Sequence, residues 1–209
     1  MSKIQVDTID TRSGTSTMQI GSTNTSTINI GVSGDTVNIP SGVTIANAGT
    51  ATGFGGTNVN LFRAYRNGNQ TIDHSTVTKV QLNAENFDVN SKFDSSTNYR
   101  YTPASTGYYY LSAQASFESN GSSGEEFRRL YIHIYKNGST LVRKNLKFKD
   151  SGGDIILQYS VSVDTIDNST SASDYYEVFV EQNNPNGADN ASVVGNTATT
   201  YFTGYKLIT

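Results

Sequence analysis

A chain of 209 residues is long enough for one sizeable all-β domain beside a smaller segment, and its 18 acidic against 15 basic residues leave a net charge of −3. That acidic balance, with a pI near 5.3, argues against a nucleic-acid partner, because neutralising phosphates needs a basic face. The absence of cysteine removes disulfides, thiolate metal sites and cysteine nucleophiles together. Stability therefore has to come from packing or from assembly.

Only 35% of residues are hydrophobic and 16% charged, yet 13 Tyr and 9 Phe suffice to fill the space between two sheets. Polar positions are Ser, Thr, Asn and Gly rather than the helix formers Ala, Leu, Glu and Lys, which points to strands. The opening MSKIQVDTIDTRSG has no basic region followed by an apolar run, and no window approaches eighteen apolar residues. Neither a secretory leader nor a membrane span is expected, and a location outside a cell would be reached by a route other than a leader.

Residues 1–57 read as an attachment and β-rich shaft segment. Between Arg12 and Arg63 the only charged residue is Asp35, and no aromatic precedes Phe54. No ordinary core can be assembled from such a stretch. Short apolar pairs recur instead: Met18 with Ile20, Ile28 with Ile30, Val37 with Ile39 and Val43 with Ile45. Each has the pattern of a three-residue strand, followed by turn residues such as Gly21, Gly31, Gly34 or Pro40 with Gly42. Two side chains bury too little to offset the ordering of their own repeat in a single chain. Three copies wound about a common axis would point Ile20, Ile28, Ile30, Val37, Ile39, Val43 and Ile45 inward as a shaft core. That arrangement is favoured over a Ser/Thr-rich linker by the regularity of the pairs. Residues 46–56, small and Gly-rich, read as the collar.

Residues 58–209 read as a head with longer, aromatic strands. Residues 59–65 open it, and 76–82 alternate Val77, Lys79 and Gln81 against Thr78, Val80 and Leu82. Residues 83–97 read as turn-rich, with Phe87 and Phe93. Residues 101–117, YTPASTGYYYLSAQASF, carry the clearest strand in the chain. There Tyr109, Leu111, Ala113, Ala115 and Phe117 share one face, and Tyr108, Tyr110, Ser112, Gln114 and Ser116 the other. Residues 129–137 place Leu130, Ile132 and Ile134 opposite Tyr131, His133 and Tyr135. Asn137-Gly138 then signals a hairpin returning through 140–147. In 155–163, Ile155, Leu157, Tyr159, Val161 and Val163 share a face, and in 173–181 Tyr176, Val178 and Val180 point inward. A polar loop is expected over 182–196, and residues 199–208 form the closing strand. Eight or so strands without a helical period predict a two-sheet sandwich.

The order of certain pieces carries a resemblance. FRAY at 62–65 is followed by Asn86-Phe87-Asp88 and Lys92-Phe93-Asp94, by the corner Tyr101-Thr-Pro-Ala-Ser-Thr-Gly107-Tyr-Tyr, by Lys136-Asn137-Gly138 and by Tyr201-Phe202-Thr203-Gly204-Tyr205. From about Asn60 to Thr209 this resembles the C1q/TNF-like jelly-roll head. The segment before it looks like the shafts that precede such heads in tailed-phage (marine or cyanophage-type) fibre and capsid-knob proteins. The resemblance implies an all-β homotrimer on a virion surface, held to other virion proteins by its N-terminal segment. Its head would contact a host surface glycan or protein, as in a tail fibre, or decorate the capsid. A collagen Gly-X-Y stalk is missing, which separates the chain from animal C1q proteins. The alternative is a soluble C1q-like carbohydrate-binding or adhesive module outside any virion.

Chemistry-bearing residues are few. His133 reads either as a hydrogen-bonded, partly buried side chain or as a pH-sensitive subunit contact, and His74 as a solvated turn residue. Asp164, Asp167 and Asp174, like Glu125 and Glu126, lack the alternate spacing of a calcium loop. Asp88 and Asp94 come without a Trp-bearing sugar platform. No enzymatic activity, cofactor or metal is expected. Tyr108, Tyr109 and Tyr110 put aromatics on both faces of one strand, so they cannot all enter one subunit's core. Tyr108 and Tyr110, with Tyr131, His133 and Tyr135, are the candidate trimer contacts. The loops 67–75, 118–126, 169–173 and 182–196 are candidates for a receptor-binding tip.

Overall fold

The computed structural model describes residues 20, 23–24, 26–46, 58–119, 127–148, 158–184 and 191–207. Met18, the collar beyond Ala46, Glu125, Glu126, Ile155 and Leu157 lie outside these described residues. The chain falls into two units, Met1–Phe54 and Gly55–Thr209.

In the first unit, the described residues between 20 and 46 hold turns at 23–24, 33–34 and 41–42 but no strand. The expected three-residue strands therefore do not pair within one chain. Gly34 adopts φ 98°, a left-handed value that favours glycine. Its turn is closed by Asp35 N donating to Val32 O (3.0 Å) and by Val32 N donating back to Asp35 Oδ2 (2.9 Å). Ile20, Ile28, Ile30, Val37, Ile39, Val43 and Ile45 are all exposed in the single chain, from 45% at Ile39 to 70% at Ile30.

The second unit contains thirteen strands and no helix among the described residues. In chain order they are β1 (Leu61–Tyr65), β2 (Gln70–Ile72), β3 (Thr78–Lys79), β4 (Ala84–Asp88), β5 (Phe93–Asp94) and β6 (Arg100–Tyr101). There follow β7 (Gly107–Ser119), β8 (Arg129–Lys136), β9 (Ser139–Lys147), β10 (Gln158–Ser169), β11 (Tyr176–Asn183), β12 (Ala191–Val193) and β13 (Tyr201–Lys206). Every ladder between these strands is antiparallel. In the first sheet β7 pairs with β10 along one edge and with β13 and β12 along the other. β1 then joins β13, β4 joins β1, and β2 joins β12. The second sheet runs β5-β6-β11-β8-β9, with β3 also on β11.

The core lies between the sheets and follows the two-residue period. Tyr109, Leu111, Ala113, Ala115 and Phe117 of β7 are fully buried, as are Leu130, Ile132 and Ile134 of β8. Phe62 is the aromatic hub. It stacks on Tyr101 (centroids 4.0 Å apart) and Phe93 (5.5 Å) and meets Phe202 edge-on (5.0 Å). The expectation for 76–82 is met in burial, with Val80 and Leu82 enclosed, but only Thr78–Lys79 ladders.

Three segments depart from the sequence reading. The turn-rich 83–97 contains β4 and β5, because Ala84–Asp88 pairs with β1 around a bulge between Arg63 and Ala64. Within the expected loop 182–196, Ala191–Val193 becomes β12, held between β7 and β2. Tyr159 shares the parity of Val161 and Val163 yet is exposed, packing edge-on against Phe148 (5.3 Å) at the margin of the sandwich.

Gly204 marks where β13 is most tightly held. A Cβ there would stand 2.8 Å from Leu111 Cδ2, 2.9 Å from the Tyr110 carbonyl oxygen and 3.0 Å from Phe62 Cε1. Gly204→Ala is expected to destabilise the head by about 1–3 kcal/mol, read as a lower midpoint in chemical denaturation; an unchanged midpoint would show that β13 has room to shift.

Candidate functional site

The outward faces of the two sheets differ in chemistry. On the first sheet, Tyr205 of β13 and Ile166 of β10 both lie directly across from Tyr110 of β7. The Tyr110 and Tyr205 rings are 5.3 Å apart. Leu61 faces Tyr205 from β1, and the Arg63 guanidinium lies 3.9 Å from the centre of the Tyr201 ring. Phe87 of β4 faces Arg63. Tyr108 (46% exposed), Tyr205 (43%), Phe87 (43%) and Ile166 (59%) thus add apolar area to one sheet face.

Tyr131, His133 and Tyr135 form a row on the outward face of the second sheet. Tyr135 stacks on Phe179 of β11 (4.2 Å), while His133 lies between Tyr131 (6.2 Å) and Tyr135 (5.8 Å). Across the ladders, Arg143 of β9 and Phe179 face His133, Glu181 faces Tyr131 and Glu177 faces Tyr135. Lys79 pairs with Glu177 at 2.5 Å. His133 is only 4% exposed, and among the described residues neither ring nitrogen has a hydrogen-bond partner. The hydrogen-bonded reading of this histidine is therefore replaced by an orphaned one. Burial, reinforced by Arg143, lowers its pKa.

Of the carboxylates considered for metal or catalysis, Asp88, Asp94, Asp167 and Asp174 are engaged by the fold itself, Asp164 is exposed, and Glu125 and Glu126 lie outside the described residues. Lys136 Nζ donates to Asp167 Oδ2 (2.7 Å) and lies 3.3 Å from Asp174 Oδ2, and the Tyr176 hydroxyl donates to Asp167 (2.6 Å). Asn137 donates to Asp174 and, with the backbone N–H of Ser171 and with Lys136, holds that carboxyl down at about 2. Burial alone would lower the Lys136 ammonium, but the two carboxylates outweigh it and the net shift is upward. Asp94 caps its own turn, accepting from the backbone of Thr97, Ser96 and Asn98, and is held well below the usual carboxylate range. Asp88 accepts from Phe93 N (2.6 Å). His74, expected to be solvated, is half-buried, bridges to Gln182 and accepts from Asn184 N (3.3 Å).

No family model matches the sequence, and neither does any curated protein. The fold does find matches among solved structures. A structure of Eiger TNF from S. frugiperda superposes with a TM-score of 0.52 at 13% identity, over 71% of this chain and 92% of that one. Murine APRIL, in a crystal structure at pH 5.0, gives 0.51 at 14% identity, over 70% of this chain and 98% of that one. The fold is a TNF-like jelly roll. At such identities the likeness extends to the fold and not to what those proteins bind.

On this jelly roll the candidate contact residues divide between two surfaces. Tyr108 and Tyr110 lie on the outward face of the first sheet, and Tyr131, His133 and Tyr135 on that of the second. Sequence reasoning missed Tyr205 and Ile166, which come to face Tyr110 only through cross-strand register, and Phe87, which comes to face Arg63. The alternation of Tyr201 and Tyr205 about the buried Phe202 was the available signal. For His133 the sign of the pH effect is fixed by its depressed folded pKa. Stability is complete above the unfolded value near 6.5 and falls on acidification towards the folded value. Thermal melts should show His133→Phe losing less stability than the wild type between pH 7.5 and 5.5; parallel losses would show that His133 is not the titrating group.

Proposed function

We propose that the chain is a non-enzymatic structural protein of a phage virion surface. It acts as a homotrimeric fibre or knob, with its N-terminal segment joined to other virion proteins and its jelly-roll head directed outward. A tail fibre that contacts the host surface is favoured over capsid decoration. The observation that supports self-association is the outward face of the first sheet, where Tyr108, Tyr110, Tyr205, Leu61 and Ile166 form an apolar patch on a single chain. Tyrosine suits such a seam, since its ring gains from burial while its hydroxyl tolerates residual water. The exposed apolar pairs of residues 20–45 support the same reading independently, because a single chain leaves them in water.

The second reading, a soluble carbohydrate-binding or adhesive module outside a virion, draws on the aromatic row of the second sheet. Immunogold labelling of particles separates the cases. Label at the tail supports the fibre, label over the head of the particle supports decoration, and none on intact particles overturns the virion assignment.

Light scattering on the purified protein is expected to return three times the chain mass of 22.6 kDa, and a stable monomer would overturn the trimer. Tyr108→Asp and Tyr110→Asp place a charge in the proposed seam and should shift the protein towards monomer by at least tenfold in dissociation constant. Ser139→Asp, at the β8–β9 turn, should leave the mass unchanged. Equal behaviour of the two classes would remove the seam from this face.

A further inference from the structure

Two Asn-Gly pairs fall within the described residues, Asn67-Gly68 after β1 and Asn137-Gly138 at the β8–β9 turn, while Asn120-Gly121 and Asn186-Gly187 lie outside them. Both described asparagines are exposed, and both glycines adopt left-handed φ values, 79° at Gly68 and 78° at Gly138. Their carboxamides are held differently. Asn137 Nδ2 donates to Asp174 Oδ1 (2.9 Å) and Asn137 Oδ1 accepts from Tyr175 N (2.9 Å), so the segment before β11 grips both ends of that carboxamide. At Asn67 the main chain is gripped instead: its N–H donates to Asn83 Oδ1 (2.7 Å) and its carbonyl accepts from Asn83 Nδ2 (3.3 Å). The Asn67 carboxamide itself makes no hydrogen bond among the described residues. A Cβ on Gly68 would meet nothing within 4 Å, so that flank of the turn is open.

A free asparagine carboxamide beside a glycine can react with its own backbone. The Gly68 nitrogen attacks Asn67 Cγ as it gives up its proton; the N–Cγ bond forms, the Cγ–Nδ2 bond breaks and ammonia leaves. Solvent water then opens the five-membered imide at one of its two carbonyls, giving aspartate or isoaspartate with no change in oxidation state. Glycine favours the closure because it has no Cβ to crowd the attacking nitrogen. At Asn137 the same closure must first break the charge-assisted bond to Asp174 and the bond from Tyr175.

We infer that Asn67 is a site of spontaneous deamidation and that Asn137, in the same dipeptide, is protected by the fold. The product disturbs a local clamp. Gly68 O and Asn69 O accept from Arg66 Nε (2.8 Å) and Nη2 (3.1 Å), and Asn69 Oδ1 accepts from Gly195 N (3.1 Å). Gly195 packs on the Gly68 peptide so closely that it has no room for a Cβ. Isoaspartate adds a carbon to the main chain inside this clamp, which ties the β1–β2 connection to the segment after β12, whereas aspartate adds only a negative charge beside Arg66. The modification requires neither the trimer nor the virion.

The test incubates the full-length protein at 37 °C and pH 8.5, folded and in urea, and follows it by peptide mass spectrometry with isoaspartyl methyltransferase labelling. In the folded protein the peptide holding Asn67 should gain about 1 Da, the change from amide to acid. It should do so at least tenfold faster than the peptide holding Asn137, as the release of a hydrogen bond to a charged group requires. In urea the two rates should converge. Asp174→Ala frees Asn137 and should speed conversion there at least threefold without changing Asn67; circular dichroism checks that this variant is folded, and if it is not, the urea comparison decides. The isoaspartyl form should melt about 2–4 °C below the fresh protein, whereas Asn67→Asp should keep the wild-type midpoint. Equal rates at the two sites in the folded protein, a rate ratio that survives in urea, or no gain at Asn67 while the urea sample converts each overturns the inference. An isoaspartyl form with an unchanged midpoint overturns the clamp.

Discussion

The geometry of β7 is the constraint on which the rest of the head depends. This strand is hydrogen-bonded along both edges, to β10 over its length and to β13 and β12 in succession. A strand so enclosed cannot slip by one residue without moving every side chain to the wrong face. The buried series from Tyr109 to Phe117 thereby commits Tyr108 and Tyr110 to the outside. Through the ladders it also aligns Ile166 and Tyr205 with them. Core packing and the outward tyrosine surface are two consequences of one register.

The second sheet obeys the same rule with different chemistry. Its inward residues, Leu130, Ile132, Ile134, Tyr176, Val178 and Val180, close the sandwich. Phe62 and Tyr101 carry the contact between the layers. Its outward residues mix aromatics with charges of both signs, and the carboxylates near the β8–β9 turn are already matched by Lys136.

His133 shows how a fold can leave a polar group unsatisfied on its outer side. A buried ring nitrogen without a partner costs free energy, and the tyrosines and Phe179 that enclose it supply area but no hydrogen bond. The neighbouring Arg143 makes a positive imidazolium less favourable still. By contrast, Asp94 and Asp174 are supplied with several donors each, and their turns are held closed by charge-assisted bonds.

Much of the architecture was legible in the residues alone. Alternation identified β7, β8 and β11 and assigned their inward faces correctly, because side-chain direction in a strand depends only on parity. Composition excluded helices, and the Asn137-Gly138 pair located the β8–β9 hairpin. The short strands β4, β5 and β12 were not legible, since two to five residues acquire strand geometry only when a neighbour completes their hydrogen bonds. Nor was the division of the candidate contacts between opposite sheets, or the placing of Tyr205 and Ile166 directly across from Tyr110. Parity within a strand is a local property written in the sequence, whereas register between strands belongs to the packed pair and exists only once the chain has folded.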